Sequence, residues 1–259
     1  IERTRRVHDG LSPGKGWCGV VLGHAVSVPQ QSAIVNAHPM GQPRVVIIGG
    51  GFGGLQAAKT LSHAPVSVTL LDRRNHHVFT PLLYQVATAG LSPGDIASPI
   101  RWILRRQRNV SVQMADVQAI DTHRKVVMLA DGPGDREVPF DHLIVATGAT
   151  HAYFGHTDWE RVAPGLKTLE DALTIRRKVL LAFEQAEREK DPAAQRRLLT
   201  FVVIGAGPTG VELAGALAEI SRHALHNDFR SIAPETARII LIEAGPGVLS
   251  AYPENLRAF

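Results

Sequence analysis

The sequence predicts an α/β fold in which one strand, glycine turn and helix unit occurs twice, with a small β-meander inserted. Three observations predict it. The stretch "VVIIGGGFGGLQAA" from Val45 returns in closely similar form as "FVVIGAGPTGVELAG" from Phe201. Each copy is followed by a further apolar run ending in an acid, "VSVTLLD" at Asp72 and "ARIILIE" at Glu243. Between the copies lies "NVSVQMADVQAIDTHRKVVMLADG", whose side chains alternate as strand residues do.

Val45 to Ile48 are four apolar, mostly β-branched residues, the composition of a strand buried on both faces of a parallel sheet. Val202 to Ile204, after Phe201, predict the same in the second copy. A glycine turn follows each strand. Gly49, Gly51 and Gly54, and then Gly205, Gly207 and Gly210, fit the G-x-G-x-x-G spacing of a Rossmann-like dinucleotide-binding unit. The first glycine permits the tight turn, the second lets backbone amides approach a pyrophosphate, and the third lets the helix pack closely on the strand. Phe52 and Gly53 in the first turn, and Pro208 and Thr209 in the second, stand where the helices "LQAAKTL" and "VELAGALAEI" begin. The unpaired N–H groups and positive dipole end of such helices suit a diphosphate. Asp72 follows Gly49 at about the 20-residue interval expected of an acid that accepts hydrogen bonds from an adenosine ribose. Glu243 stands farther from Gly205, so the second helix and the loop around "HNDFRSIAPE" are expected to be longer. Arg73 and Asn75, just past Asp72, either reach the adenosine or stand in solvent.

After Asp72 comes "RRNHHVFTPLLYQVATAGLSPGDIASPIR", a long irregular stretch of the kind that usually carries function. His76 and His77 within it are adjacent, so their side chains diverge; with no third ligand placed, no metal site is predicted. The alternating stretch predicts two strands with a turn near His123, and "REVPFDHLIVATGA" predicts another buried strand ending in Ala146, Thr147 and Gly148. A helix is expected from Leu169 to about Lys190. The loop near Pro164 and Gly165 divides a first domain, 40–165, from a second, 166–259. Arg101, Arg105, Arg106 and Arg108 fall on what reads as one helix, with a solvated face as its simplest explanation and an acidic partner or lipid headgroups as the alternative.

With 259 residues, 44% hydrophobic and 20% charged, the composition is that of globular material, enough for one large domain or two smaller ones. Half of the net charge of +4 comes from the first 39 residues, which have no clear period and are read as a disordered or non-native extension ahead of Met40. Arg5-Arg6 and "WCGVVLGHAV" faintly resemble an export signal, but Gly23 and His24 break the run. A single cysteine, Cys18, excludes a paired-cysteine redox centre within the chain and fits a reducing compartment. No run approaches the roughly 18 apolar residues of a spanning helix, and no motif points to nucleic acid.

The two glycine turns, "LIVATGA", "HHVFTPLLYQVATAGLSPGDIASPIR" and "GAGPTGVELAGALAEI" together resemble the type II NADH:quinone oxidoreductases, single-subunit respiratory flavoproteins of the two-dinucleotide-binding superfamily. The likeness runs from about Val45 to Leu249, and "TPLLYQVATAGLSP" and "GPTGVELAG" are its most specific pieces. Spacing alone leaves open which turn takes which cofactor; the resemblance implies FAD at the first and NADH at the second. It assigns Gly49, Gly51, Phe52, Gly53, Gly54, Asp72 and Arg73 to FAD, sets Gln85 near the flavin ring, and passes Ala146, Thr147 and Gly148 beside the same cofactor. It assigns Gly205, Gly207, Pro208, Thr209, Gly210 and Glu243 to NADH. Glu212, read as lying in the first turn of its helix, is explained by the helix dipole alone or, as the resemblance implies, by facing the place where nicotinamide meets flavin. It is the candidate catalytic residue.

The implied reaction is hydride transfer from NADH to flavin and then two-electron transfer to a membrane quinone, without proton pumping. The cofactor carries the chemistry, in keeping with the lack of any nucleophilic triad. The resemblance also implies a peripheral position on the cytoplasmic face of the cell membrane, held by a carboxyl-terminal region beyond Phe259, and it allows a homodimer. Two rivals are a soluble NADH-dependent reductase of a small redox protein and a non-catalytic nucleotide-binding fragment. The related enzymes close their FAD domain with a later strand. The chain as given is therefore expected to leave apolar faces exposed and to turn over poorly by itself.

Overall fold

The structure, a computed structural model, describes residues 41–130, 136–245 and 247–257. The expected extension over residues 1–39 lies outside the described residues. In chain order the elements begin with β1 (Arg44–Ile48), α1 (Phe52–Thr60), β2 (Ser67–Asp72), β3 (His76–Val78), α2 (Leu83–Ala87), α3 (Pro93–Ile96), β4 (Ala97–Pro99) and α4 (Ile100–Ile103). There follow β5 (Val110–Met114), β6 (Val117–Asp121), β7 (Val126–Leu129), β8 (Glu137–Pro139), β9 (His142–Val145), α5 (Leu169–Arg188) and α6 (Pro192–Leu198). The second copy comprises β10 (Thr200–Ile204), α7 (Pro208–Glu219) and β11 (Arg238–Ile242), and α8 (Glu254–Arg257) comes last.

β1 sits inside a four-stranded sheet of order β5-β2-β1-β9, with every pairing parallel. Its residues Val45 to Ile48 are all buried because both faces are covered. On one side Val45, Ile47, Val68 and Leu70 pack with Leu55 and Ala58 of α1 and with Ile100 and Leu104. On the other, Val46, Ile48 and Leu71 pack against Val127 of β7 and Phe140. The latter two belong to the antiparallel meander β6-β7-β8 and its exit. The inserted meander thus serves as the second covering layer, where a further helix would otherwise be needed.

The second copy is thinner. β10 and β11 pair in parallel as a two-stranded sheet. One face packs Val203 against Val179 and Phe183 of α5 and Leu217 of α7. The other carries Val202, Ile204 and Ile242, which are 53%, 69% and 49% exposed. α2 is wedged beside α5: Leu83, Val86 and Ala87 share a buried cluster with Ile96 and Ala172, and α2 also packs on α7.

Several sequence expectations need correction. β10 is buried on one face only, since no described layer covers the second face. β9 is an edge strand rather than a buried one, and Val145 is 59% exposed. The alternating stretch forms three strands, not two. Its first part, β5, pairs with β2 in the parallel sheet, and the chain breaks at Ala115 and Asp116 before β6. The turn near His123 is present, held by Asp121, which accepts from the amides of His123 and Arg124 at 3.0 and 2.9 Å. The stretch after Asp72 is less irregular than expected, because the β3–β4 hairpin and α2, α3 and α4 organise it. The four arginines do not share one helix: α4 ends at Ile103, and Arg105, Arg106 and Arg108 follow in turns.

Candidate functional site

The two glycine turns are built alike, bond for bond. Gly49 donates to the Leu71 carbonyl at 2.7 Å, and Gly205 donates to that of Ile242 at 2.8 Å. Both first glycines take positive φ, +103° and +96°, where a side chain would be strained. A β-carbon on either third glycine, Gly54 or Gly210, would lie 1.8 Å from the carbonyl oxygen of the first glycine of its own turn. Helix and turn can close on each other only without one.

Each acid closes the same ring. The Asp72 carboxylate accepts from the Gly50 amide through one oxygen and from the Arg74 amide, at 2.7 Å, through the other. Glu243 accepts from Ala206 at 2.7 Å and from Gly245 at 2.9 Å. The Ala206 N–H, followed by that of Gly245, holds the Glu243 carboxyl below the usual carboxylate range against the opposing effect of burial. Each carboxylate retains free lone pairs after these bonds, so a ribose hydroxyl can still be accepted.

The amino ends of α1 and α7 differ from those of α5 and α6. α5 is capped by Thr168, which accepts from the Asp171 amide, and α6 by Asp191, which accepts from Ala193 and Ala194. α1 and α7 are capped by Gly51 and Gly207, which offer no side chain, and neither helix has an acid in its first turn. A β-carbon added at Gly51 or Gly207 would meet nothing within 4 Å, so the space in front of both helix ends is open. Uncapped N–H groups facing open space, with no carboxylate nearby on the helix, form a site for a phosphate anion. On this ground the residues present fit a dinucleotide diphosphate at both turns.

Ala146 and Thr147 come together with the first turn. A β-carbon on Gly49 would lie 2.3 Å from the Ala146 carbonyl oxygen, and the Ala146 amide donates to Ile48 at 2.8 Å. Gly148 follows at φ +71°. Phe52, half-exposed at the start of α1, packs edge-on against His77 and Phe79, with centroids 4.9 and 5.6 Å away. His77 was not among the predicted site residues, yet its Nδ1 lies 3.2 Å from the Gly50 carbonyl oxygen. His76 turns instead to Asn75, at 3.1 Å, so the adjacent rings do diverge. Arg73 is exposed beyond Asp72, and Pro208 and Thr209 open α7.

Gln85 and Glu212, 127 positions apart, line one cavity of about 600 Å³ between α2 and α7. Tyr84 and Thr88 share the α2 side, and Glu219 joins Glu212 on the α7 side. Glu212 is the fifth residue of α7 and not in its first turn as expected. It therefore faces the cavity about one turn away from the glycine-capped end of α7, so its charge does not oppose an anion there. Glu219 went unmarked in the sequence, although its spacing of two helical turns from Glu212 sets both on one face. The cavity also borders a π-helical turn at Ile220–Ala224 and Ala89, a non-glycine residue at φ +64°. Both departures from regular backbone are of the kind that cluster at functional sites.

Residues 43–259 match the pyridine nucleotide-disulphide oxidoreductase family. The chain is 50% identical over 221 residues to the type II NADH:quinone oxidoreductase Ndh of Mycobacterium tuberculosis, covering 85% of this chain and 47% of that protein. It is 51% identical over 209 residues to NdhA of the same organism, covering 81% of this chain and 44% of that protein. Among solved structures, NDH2 of Plasmodium falciparum in complex with NADH superposes with a TM-score of 0.77 at 25% identity, covering 83% of this chain and 44% of that one. The chain thus spans about half the length of the curated relatives it matches.

Proposed function

The chain belongs to the pyridine nucleotide-disulphide oxidoreductase family, and from that premise we propose that it carries the two nucleotide-binding units of a type II NADH:quinone oxidoreductase. The observation that carries this reading is the bond-for-bond equivalence of two open, uncapped glycine turns. Half-identity to Ndh supports the reaction type. Residues 40–165 form the FAD-binding part and 166–259 the NADH-binding part.

At the first turn, the amides at the start of α1 from Gly51 to Gly54 hold the FAD diphosphate, and Asp72 orients the adenosine ribose while bonded to Gly50. Ala146 and Thr147, pressed on Gly49 just past the end of β9, let backbone approach the same cofactor, with Gly148 next in the chain. At the second turn, Gly207, Pro208, Thr209 and Gly210 receive the NADH diphosphate and Glu243 the ribose. The chemistry FAD would supply there is acceptance of a hydride from NADH, with its two electrons then passed to a quinone that takes up two protons in all, one of them from solvent. Glu212 and Gln85 face the reacting region from the shared cavity, where the Glu212 carboxylate orients a reactant or holds a proton. The quinone is the electron acceptor, and the working enzyme sits peripherally on the cytoplasmic face of the membrane as a homodimer.

The test is to purify the chain, titrate it with FAD and then NADH, and follow flavin absorbance. Stoichiometric flavin binding followed by bleaching on anaerobic addition of NADH is the expected result. A protein that binds neither nucleotide would exclude the reading.

A further inference from the structure

Away from the two glycine turns, a basic surface lies around α4. Arg101, Arg105, Arg106 and Arg108 are all exposed, and none is ion-paired with a carboxylate among the described residues. No Asp or Glu occurs between Ile96 and Ala115, or between Phe52 and Leu71. The segment is held rigidly: Gln107 Nε2 donates to the Ala58 carbonyl at 2.8 Å, and Asn109 Nδ2 donates to that of Leu61 at 2.9 Å. These bonds bring Lys59 and His63, both exposed, to the border of the same surface.

An aromatic ring stands within this cationic field. Trp102 is 62% exposed, with the Arg105 guanidinium 3.8 Å from its ring centre and Arg105 Nη1 donating to the Trp102 carbonyl at 2.7 Å. Met114, at the end of edge strand β5, is also 62% exposed. A solvated helix face accounts for the arginines but not for an indole left in water.

We propose that Trp102 with Arg101, Arg105, Arg106 and Arg108 forms a contact surface for an anionic lipid bilayer. Basic residues gain from the negative potential of acidic headgroups. An indole gains from the interfacial zone, where its apolar ring leaves water while its N–H stays hydrated. The surface is already ordered by Gln107 and Asn109, so little conformational freedom is lost on docking. Charge complementarity favours an acidic lipid layer, and the shallow exposed indole favours a planar partner over a grooved one. This surface stands independently of the electron-transfer reading and is tested without turnover.

The experiment is co-sedimentation of the chain with vesicles of phosphatidylcholine alone or containing phosphatidylglycerol at about 30 mol%, a composition chosen to give a clear anionic surface potential. Wild type is expected to bind only the anionic vesicles, less well at high salt, with a blue shift in tryptophan fluorescence. Removing charge in the triple variant Arg105→Gln/Arg106→Gln/Arg108→Gln is expected to weaken partitioning about a hundredfold, at roughly fivefold per guanidinium. Trp102→Ala is expected to abolish the blue shift. Arg196→Gln/Arg197→Gln on α6, which removes two exposed charges elsewhere, is expected to bind as wild type rather than weaken by the roughly 25-fold that fivefold per guanidinium would give. The proposal is overturned if the triple variant binds equally, if the α6 variant weakens as much per guanidinium, or if wild type shows no preference for anionic vesicles. Tighter binding to polyuridylate or polyglutamate than to those vesicles would overturn it too.

Discussion

Glu243 accepts a hydrogen bond from the Ala206 amide at 2.7 Å, and so the last residue before the second loop is tied to the middle of the second glycine turn. Asp72 and Gly50 make the same connection in the first unit. One carboxylate in each unit therefore fixes the turn, and in the proposed reading the same carboxylate would receive the nucleotide sugar, which leads to the first prediction.

The chain should bind NADH in preference to NADPH, because a 2′-phosphate would meet the Glu243 carboxylate, with no Arg or Lys in "AGPGVLS" to offset the repulsion. Since backbone N–H groups hold Glu243 below the usual carboxylate range, it stays ionised as pH falls through the ordinary glutamate value, and the preference should persist there. Glu243→Ala should narrow the ratio of dissociation constants by about tenfold. Calorimetric titration with both nucleotides measures it, and an unchanged ratio would remove Glu243 from the specificity argument.

Two glycines of the first turn should fail in different ways. Gly51 has ordinary φ of −71° and open space where a β-carbon would go, so Gly51→Val should fold normally yet lose FAD affinity by about a hundredfold. Gly54→Val would press a β-carbon onto the Gly49 carbonyl oxygen and should cost about 4 kcal/mol or more of stability. Thermal unfolding and flavin titration separate the two, and full flavin retention in the Gly51 variant would defeat the reading of that turn.

In a version extended to the length of the relatives, Glu212→Gln should lower NADH:quinone turnover by at least about tenfold while leaving flavin content unchanged. The basis is its place beside Gln85 in the shared cavity, away from the second glycine turn. Steady-state rates against several quinones are the measurement. Wild-type rates would leave Glu212 with a packing role alone.

Arg44 holds the Asp141 carboxyl well below the usual carboxylate range, through its side chain first and then its backbone amide at 2.7 Å. A depressed folded-state value means that the stabilisation is present above the unfolded pKa, about 3.9, and is lost as pH falls through the folded value. Asp141→Asn should lower the unfolding temperature near neutrality and flatten its decline between about pH 5 and pH 2. Unfolding scans across that range test it, and parallel curves for the two proteins would contradict it.

The uncovered face of β10 and β11 should bind a hydrophobic dye, and Val202→Thr with Ile204→Thr should reduce that binding without altering secondary structure. Undiminished dye fluorescence in the double variant would mean that the dye binds elsewhere.

The two turns were legible in the sequence because their requirements are local. Positive φ at Gly49 and Gly205, close approach at Gly54 and Gly210, and an acid ending the next strand each constrain residue type at a short interval. The apolar run of β1 and the helix over α5 were readable for the same reason, a periodicity carried by consecutive residues. Which apolar runs are covered was decided only by the tertiary structure. Val45–Ile48 and Phe201–Ile204 look alike as strings, yet the meander closes one sheet and no described layer closes the second face of the other. Likewise, the meeting of Gln85 with Glu212 and of His77 with Gly50 depends on helices and hairpins packed from distant positions. Burial and side-chain meeting are properties of what lies opposite a residue, and a linear pattern records only what lies beside it.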